Sequence, residues 1–192
     1  MLKTLVFKVI NRCAVFMYER RAEYFAYIYK SQVELRGYVR MGYGSSIYIP
    51  TRDMSSYMKI NNGTTFRRFC TLTLDGCGKM NLGEHNFFNN NCSINCLGTI
   101  TIGNNNLFGE GVKIYDHNHR FSNPNELIAH QGFSLGQVTI GNNCWIGSNT
   151  VILNNVVIGN NVIIGANNLI YKSIPDNAIV KSNISGLIGY YM

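Results

Sequence analysis

The sequence predicts an all-β repeat protein: a parallel β-helix with a helical segment ahead of it and one long loop extruded from its coils. Three observations carry this expectation. An aliphatic residue returns at every sixth position, from Ile140 through Ile146, Ile152, Ile158 and Ile164 to Ile170. One phrase recurs in variants, as MKINNG from 58, MNLGEH from 80, ITIGNN from 100, VTIGNN from 138 and VVIGNN from 156. The aliphatic step is interrupted by a long gap between Ile114 and Ile140. Helices need apolar residues every three to four positions and half-buried strands every second one, so neither explains a strict six. A six-residue period with Gly or Asn after the aliphatic residue is the mark of stacked coils, each hexad supplying a short strand and a corner.

Residues 1 to about 30 read as helix. Leu2, Leu5, Val6, Val9, Ile10, Cys13, Phe16 and Met17 fall on one face, with Lys3, Lys8 and Arg12 elsewhere. A basic amphipathic helix can lie on a membrane surface or pack on the end of the main domain or on a partner subunit. The packed arrangement is preferred, which leaves at most a weak membrane-surface association. Residues 31–57, with Gly37, Gly42, Gly44 and Pro50, read as a connector with short strands. The expected organisation is a helix and connector over 1–57, a hexapeptide-repeat β-helix over 58–175 with a loop at 115–137, and a C-terminal tail over 176–192.

Within the repeat, side chains alternate along each short strand. Cys144, Thr150, Val156 and Val162 should therefore point inward beside the isoleucine column. Trp145, Val151, Val157, Ile163 and Leu169 should point outward. A monomer would leave much of that outward apolar surface wet, and a homotrimer is expected. The corners carry Gly141, Asn142, Gly147, Gly159, Asn160 and Gly165, residue types that tolerate left-handed backbone angles. The step of six holds over Leu82, Phe88 and Ile94, slips by two to Ile102, Phe108 and Ile114, and resumes at Ile140.

Composition limits the function classes. The chain is 46% hydrophobic and 14% charged, which excludes disorder, and no uninterrupted apolar stretch is long enough to span a bilayer. The net charge of +7 suits anionic ligands such as phosphates, but no nucleic-acid signature accompanies it and no nucleic acid is expected. Cysteines at 13, 70, 77, 92, 96 and 144 form no CxxC pair, and Lys8 and Arg12 interrupt the apolar run a signal core would need. Reduced thiols in a cytoplasmic protein are expected.

The extruded loop begins YDHNHRF, from Tyr115 to Phe121, and holds two of the four histidines before its tip. Long loops on rigid scaffolds are commonly functional. A neutral imidazole at His119 or His117 can take a proton from a hydroxyl, with Asp116 or a backbone carbonyl to fix its tautomer. A zinc site from three of His85, His117, His119 and His130 is the competing reading. The spacing matches the three-histidine hexapeptide carbonic anhydrases poorly, and no metal is expected.

The stretch from about 80 to 175 resembles the hexapeptide-repeat acyltransferases. It is most similar to the maltose/galactoside and streptogramin O-acetyltransferase group and to related polysaccharide O-acetyltransferases. The resemblance rests on the "IGNN" hexads, the histidine loop, "CWIG" at 144–147, and the "VIIGANNLIYKSIP" ending. It implies a left-handed parallel β-helix, acetyl-CoA as donor, and homotrimers whose active sites lie between subunits. The family register, counted from Ile102, puts the catalytic histidine on His119. Trp145 matches a tryptophan near the acetyl-CoA and acceptor sites, and Ser148 a position contacting the acetyl group. Ala166, Tyr171 and Lys172 match positions along the CoA arm. Asn89 matches an acceptor-side asparagine, and Tyr115 stands at the mouth of the loop on that side. The family's Gly-x-Pro-Ala near the end is replaced by KSNIS at 181–185, so contacts to the adenine end of CoA should differ.

The expected activity is direct acetyl transfer from acetyl-CoA to a carbohydrate hydroxyl, with capsular, exopolysaccharide or lipopolysaccharide sugars first, in a cytoplasmic enzyme that works near the inner face of the membrane. A non-catalytic β-helix that serves assembly or binding is the alternative from another class. Acetylation of an antibiotic or of serine is a third.

Overall fold

The computed structural model describes residues 20–50, 55–181 and 188–190. Apart from one two-stranded hairpin, its described strands fall into three sheets that run the length of a parallel β-helix, with one residue stretch of each coil in each sheet. The first sheet takes Val33–Leu35, Tyr57–Ile60, Lys79–Leu82, Thr99–Ile102, Gln137–Ile140 and Val156–Ile158. The second runs from Arg40–Met41 through Thr65–Phe66, Phe87–Phe88, Leu107–Phe108, Trp145–Ile146 and Ile163–Ile164 to Ala178–Val180. The third takes Ser46–Tyr48, Thr71–Leu74, Ser93–Cys96, Lys113–Tyr115, Val151–Ile152 and Leu169–Ile170. The architecture fits the left-handed parallel β-helix.

The stack begins earlier than the repeat motif does. Val33–Leu35 pairs in parallel with Met58–Ile60, so the stretch read as a connector already forms the first coil. Its inward residues, Val39, Met41, Ile47 and Ile49, are apolar but lack the Gly-Asn corner that marks a hexad. Register explains why. Ile140 stacks on Ile158 with a coil of 18 residues, whereas Leu82 stacks on Ile102 with 20 and Ile60 on Leu82 with 22. The N-terminal coils are longer and their period is blurred.

The inward columns are as the pattern requires. Ile140, Ile146, Ile152, Ile158 and Ile164 are buried, as are Cys144, Thr150, Val156 and Val162. Trp145, Val157 and Leu169 are exposed, and Val151 and Ile163 half-buried. Phe66, Phe88 and Phe108 lie one above another in the core, with ring centroids 4.7 and 4.3 Å apart.

The corners divide their labour differently from expectation. Positive φ falls not on Gly141, Asn142, Gly147, Gly159, Asn160 or Gly165 but on the residue that follows the pair, such as Asn143, Asn149, Asn155, Asn161 and Asn167. Gly141 is glycine for space: a Cβ there would lie 2.6 Å from the Gly159 carbonyl oxygen of the next coil. Asn142 and Asn160 serve as ladder rungs, the Asn160 side chain accepting the Asn142 backbone N–H at 2.9 Å.

The helix Arg21–Ile28 closes the N-terminal end. Ala22 is fully buried against the first coil, and Phe25, Ala26 and Tyr29 pack on the core beside it. The part of the expected helix before residue 20 lies outside the described residues. Among the described residues no helix is long and apolar enough to cross a membrane. At the other end, Ala178–Val180 extends the second sheet and pairs antiparallel with Ile188–Tyr190, so part of the expected tail belongs to the stack.

Candidate active site

The interruption after Ile114 is a hairpin arm. His117–His119 pairs antiparallel with Phe133–Leu135, and a short 3-10 turn at Ile128–His130 forms the far end. The arm is tied at its base, where the Gly136 N–H donates to the Asp116 carbonyl at 2.7 Å. It is tied again to the following coil, where the Asn118 side-chain amide donates to Asn154 Oδ1 at 3.0 Å. Near the tip, Gln131 Nε2 donates to the carbonyls of Asn123 and Glu126, both at 2.9 Å.

Asp116 owes its position to strand alternation. Ile114 points in, Tyr115 out and Asp116 in, where its side chain is fully buried above Cys96 of the preceding coil. A buried carboxylate needs donors. The Leu97 N–H donates to Oδ1 at 2.9 Å and the Gly98 N–H to Oδ2 at 2.8 Å, and His117 Nδ1 lies 3.0 Å from Oδ1. Burial, and then the Asp116 charge, push the Cys96 thiol well above the ordinary cysteine range.

The two loop histidines are therefore unlike. His117 is 14% exposed and held edge-on between Tyr115 and Phe133, with ring centroids 6.2 and 5.3 Å away. His119, two residues further along the arm, is exposed and rests tilted against Phe133 at 4.5 Å. Asp116 thus orients His117 and not His119, because the alternation that keeps both rings on one side of the hairpin carries His119 away from the core. Phe133, which touches both rings, carries no local signal in the sequence. Only the antiparallel pairing across the arm brings it there.

The remaining candidates other than Trp145 sit on two corner ridges. Asn89, Ser148 and Ala166 share the ridge between the second and third sheets. Its rungs stack directly: the Gly111 N–H donates to the Asn90 carbonyl, Asn149 N–H to Glu110 and Asn167 N–H to Ser148, at 2.8–2.9 Å. Gly109 completes the ridge, and a Cβ there would meet the Ser148 backbone nitrogen at 2.5 Å. Asn89 Oδ1 is 3.4 Å from an Arg67 guanidinium nitrogen. Tyr171 and Lys172 lie on the ridge between the third and first sheets, the one from which the arm departs, with Lys172 Nζ 5.6 Å from the Tyr171 ring centre. Trp145 stands on the second sheet, 55% exposed, in register between Leu107 and Ile163. It borders an open cleft of about 270 Å3 that Asn105, Asn143 and Asn161 also line. Leu107 and Ile163 were within reach of the sequence, since they stack on Trp145 once the coil lengths are known. Among the described residues no three His, Cys, Asp or Glu side chains converge as a metal site would need. One chain therefore gathers Tyr115, Asp116, His117 and His119, places Tyr171 and Lys172 further along the ridge that the arm leaves, and sets Asn89, Trp145, Ser148 and Ala166 on other surfaces.

Residues 137–172 match the family model described as bacterial transferase hexapeptide (six repeats). Solved structures resemble the chain over most of its length. An N-acyltransferase from Bacillus cereus, AntD, in complex with dTDP and coenzyme A, is 20% identical, covers 85% of this chain and 87% of its own, and has a TM-score of 0.63. The polySia-specific acetyltransferase NeuO is 14% identical, with 82% and 70% covered and a TM-score of 0.62. Galactoside acetyltransferase in complex with coenzyme A is 21% identical, with 94% and 78% covered and a TM-score of 0.56. Residues 137–172 are thus bacterial transferase hexapeptide repeats, and the chain has the left-handed β-helix fold of these acyltransferases.

Proposed function

We propose that this chain is an acetyl-CoA-dependent O-acetyltransferase that acts on a carbohydrate hydroxyl, as a trimer with sites between neighbouring subunits. The observation that carries the reading is the histidine arm, the one long excursion from the described coils, anchored at its base by a buried carboxylate. The solved relatives support the donor and acceptor classes: two hold coenzyme A, and two are acetyltransferases specific for a glycan or a galactoside by their names.

His119 is the base. Its ring is exposed and makes no hydrogen bond among the described residues, so a nitrogen is open to an acceptor hydroxyl. It takes the hydroxyl proton as the oxygen attacks the thioester carbonyl. A backbone N–H on the Ser148 ridge stabilises the oxyanion. Collapse expels the CoA thiolate, which recovers the proton from the imidazolium, leaving the acetyl ester and CoA. Trp145, Ala166, Tyr171 and Lys172 hold the donor; Asn89 and Tyr115 face the acceptor. A cysteine acyl intermediate is not needed, and burial keeps Cys96 and Cys144 protonated and poor as nucleophiles.

One observation favours a second assignment of the base. The Asp116–His117 pair has the orienter–imidazole geometry of a catalytic dyad. A thiol-release assay with acetyl-CoA against a panel of sugars and acidic glycans tests both. His119→Ala should lose about 10²–10⁴ in rate with acetyl-CoA affinity unchanged, and His117→Ala should lose less. The reverse order makes the dyad the base. Absence of acetyl-CoA binding by calorimetry would leave a non-catalytic binding module.

A further inference from the structure

The net positive charge of the chain comes from its N-terminal third. Residues 1–68 hold twelve Lys and Arg against four Asp and Glu, a net of +8, while residues 69–192 hold five against six, a net of −1. Of these, the described residues 20–50 and 55–68 hold eight Lys and Arg against two Asp and Glu, a net of +6, and they build the cap helix, the first coil and the start of the second, so this charge sits at the N-terminal end of the helical stack. Exposed tyrosines gather there as well. Tyr24 and Tyr27 project from the outer face of the cap helix, and Tyr38, Tyr43 and Tyr48 from the first coil, all about half exposed or more. Arg36 and Arg40 stand on the edge strand and its corner among them.

We propose that this end is a docking surface for an anionic lipid bilayer, which would hold the β-helix upright on the membrane. The chemistry selects that occupant. Amphipathic tyrosine rings settle at headgroup level, and clustered Lys and Arg are drawn to anionic headgroups. A second copy meeting end to end would bring +6 against +6 from the described residues alone. A hydrated polyanion would use the cations but leaves Tyr24, Tyr27 and Ile28, side by side on the outer helix face, without a role. Residues 1–19 add Lys3, Lys8 and Arg12 among apolar residues in sequence. The surface lies at the N-terminal end of the stack, several coils from the arm and from Trp145, Ser148 and Lys172, and its test reads vesicle binding rather than turnover, so it stands or falls independently of that reading.

The test is sedimentation of the full-length protein with vesicles of pure phosphatidylcholine or of phosphatidylcholine with equimolar phosphatidylglycerol, at low and high salt. Wild type should partition onto the anionic vesicles, ignore the neutral ones, and release with salt. The double variants Arg36→Glu with Arg40→Glu and Tyr24→Ser with Tyr27→Ser, checked for unchanged melting, should each lower the partition by roughly tenfold. Wild-type indifference to vesicles, equal binding to both compositions, or binding untouched by either double variant overturns the proposal. So does retention on an acidic polysaccharide under conditions where the anionic vesicles retain nothing.

Discussion

Asp116 is a charge without access to water, and it persists there because two backbone N–H groups and one imidazole reach it. Replacing it with Ala would leave the part-buried Leu97 and Gly98 N–H groups without their acceptor, at up to about 1–3 kcal/mol each. Asp116→Ala should therefore lower the melting temperature clearly, while His117→Ala, which leaves both backbone donors satisfied, should lower it less. A similar logic applies to the thiols. Burial raises Cys96 and Cys144 above the ordinary value of 9.0, so the folded state holds protons that the unfolded chain releases. That stability is fully present below pH 9 and is lost as the pH rises above it. At pH 8, among the described cysteines, a maleimide should label the exposed Cys77 first and leave Cys96 and Cys144 unmodified until the protein is unfolded, as read by mass spectrometry of the peptides. Labelling of Cys96 in the native protein would mean that the coil opens there.

The stacked coil shows which features a sequence can and cannot reveal. Where coils are 18 residues long, between Ile140 and Ile170, every inward and outward position could be read from the period of six alone. The longer coils add residues in pairs at the end of the third sheet, and a pair preserves the in-out alternation. Leu72 is thus followed inward by Leu74, and Ile94 by Cys96. Asp116 follows Ile114 in that same column, which the strand register aligns as Leu74, Cys96 and Asp116. The slip of two between Ile94 and Ile102 was visible, but not that it would sink an acidic residue beside a histidine. The corners were half legible. Gly and Asn marked them, but spacing cannot distinguish the glycine that avoids a neighbouring carbonyl from the asparagine that takes positive φ. The phenylalanine stack is the element most sensitive to a single change. Phe88 is fully buried between Phe66 and Phe108, with interplanar angles of 12° and 5°. Phe88→Ala should cost about 3–5 kcal/mol, measured by urea unfolding, because neighbours fixed by sheet hydrogen bonds on both sides cannot collapse into the cavity.

At the scale of the molecule, the arm leaves one ridge while Trp145 and Ser148 stand on another sheet and another ridge. The arm also exposes Phe121, Leu127, Ile128 and Leu135, and the second and third sheets expose Leu107, Trp145 and Leu169. That distribution fits an assembly in which the arm of one subunit covers the coil surface of the next. Light scattering should give a trimer at micromolar concentration, and a monomer would refute the arrangement. Subunit mixing tests the shared site directly. His119→Ala removes the base from the arm, and Trp145→Ala weakens the donor surface without lowering the melting temperature, since the indole lies outside the core. Each variant alone should be nearly inactive at low acetyl-CoA. If a site joins the arm of one subunit to the second sheet of its neighbour, unfolding and refolding an equal mixture restores some sites in which both residues are intact. For random assembly that is up to about one quarter of the wild-type number. The readout is thiol release from the mixture, compared with each variant refolded alone. Recovery toward that fraction places His119 and Trp145 in one site from two subunits. No recovery, with mixed trimers shown by native mass spectrometry, places both residues of a working site in the same subunit.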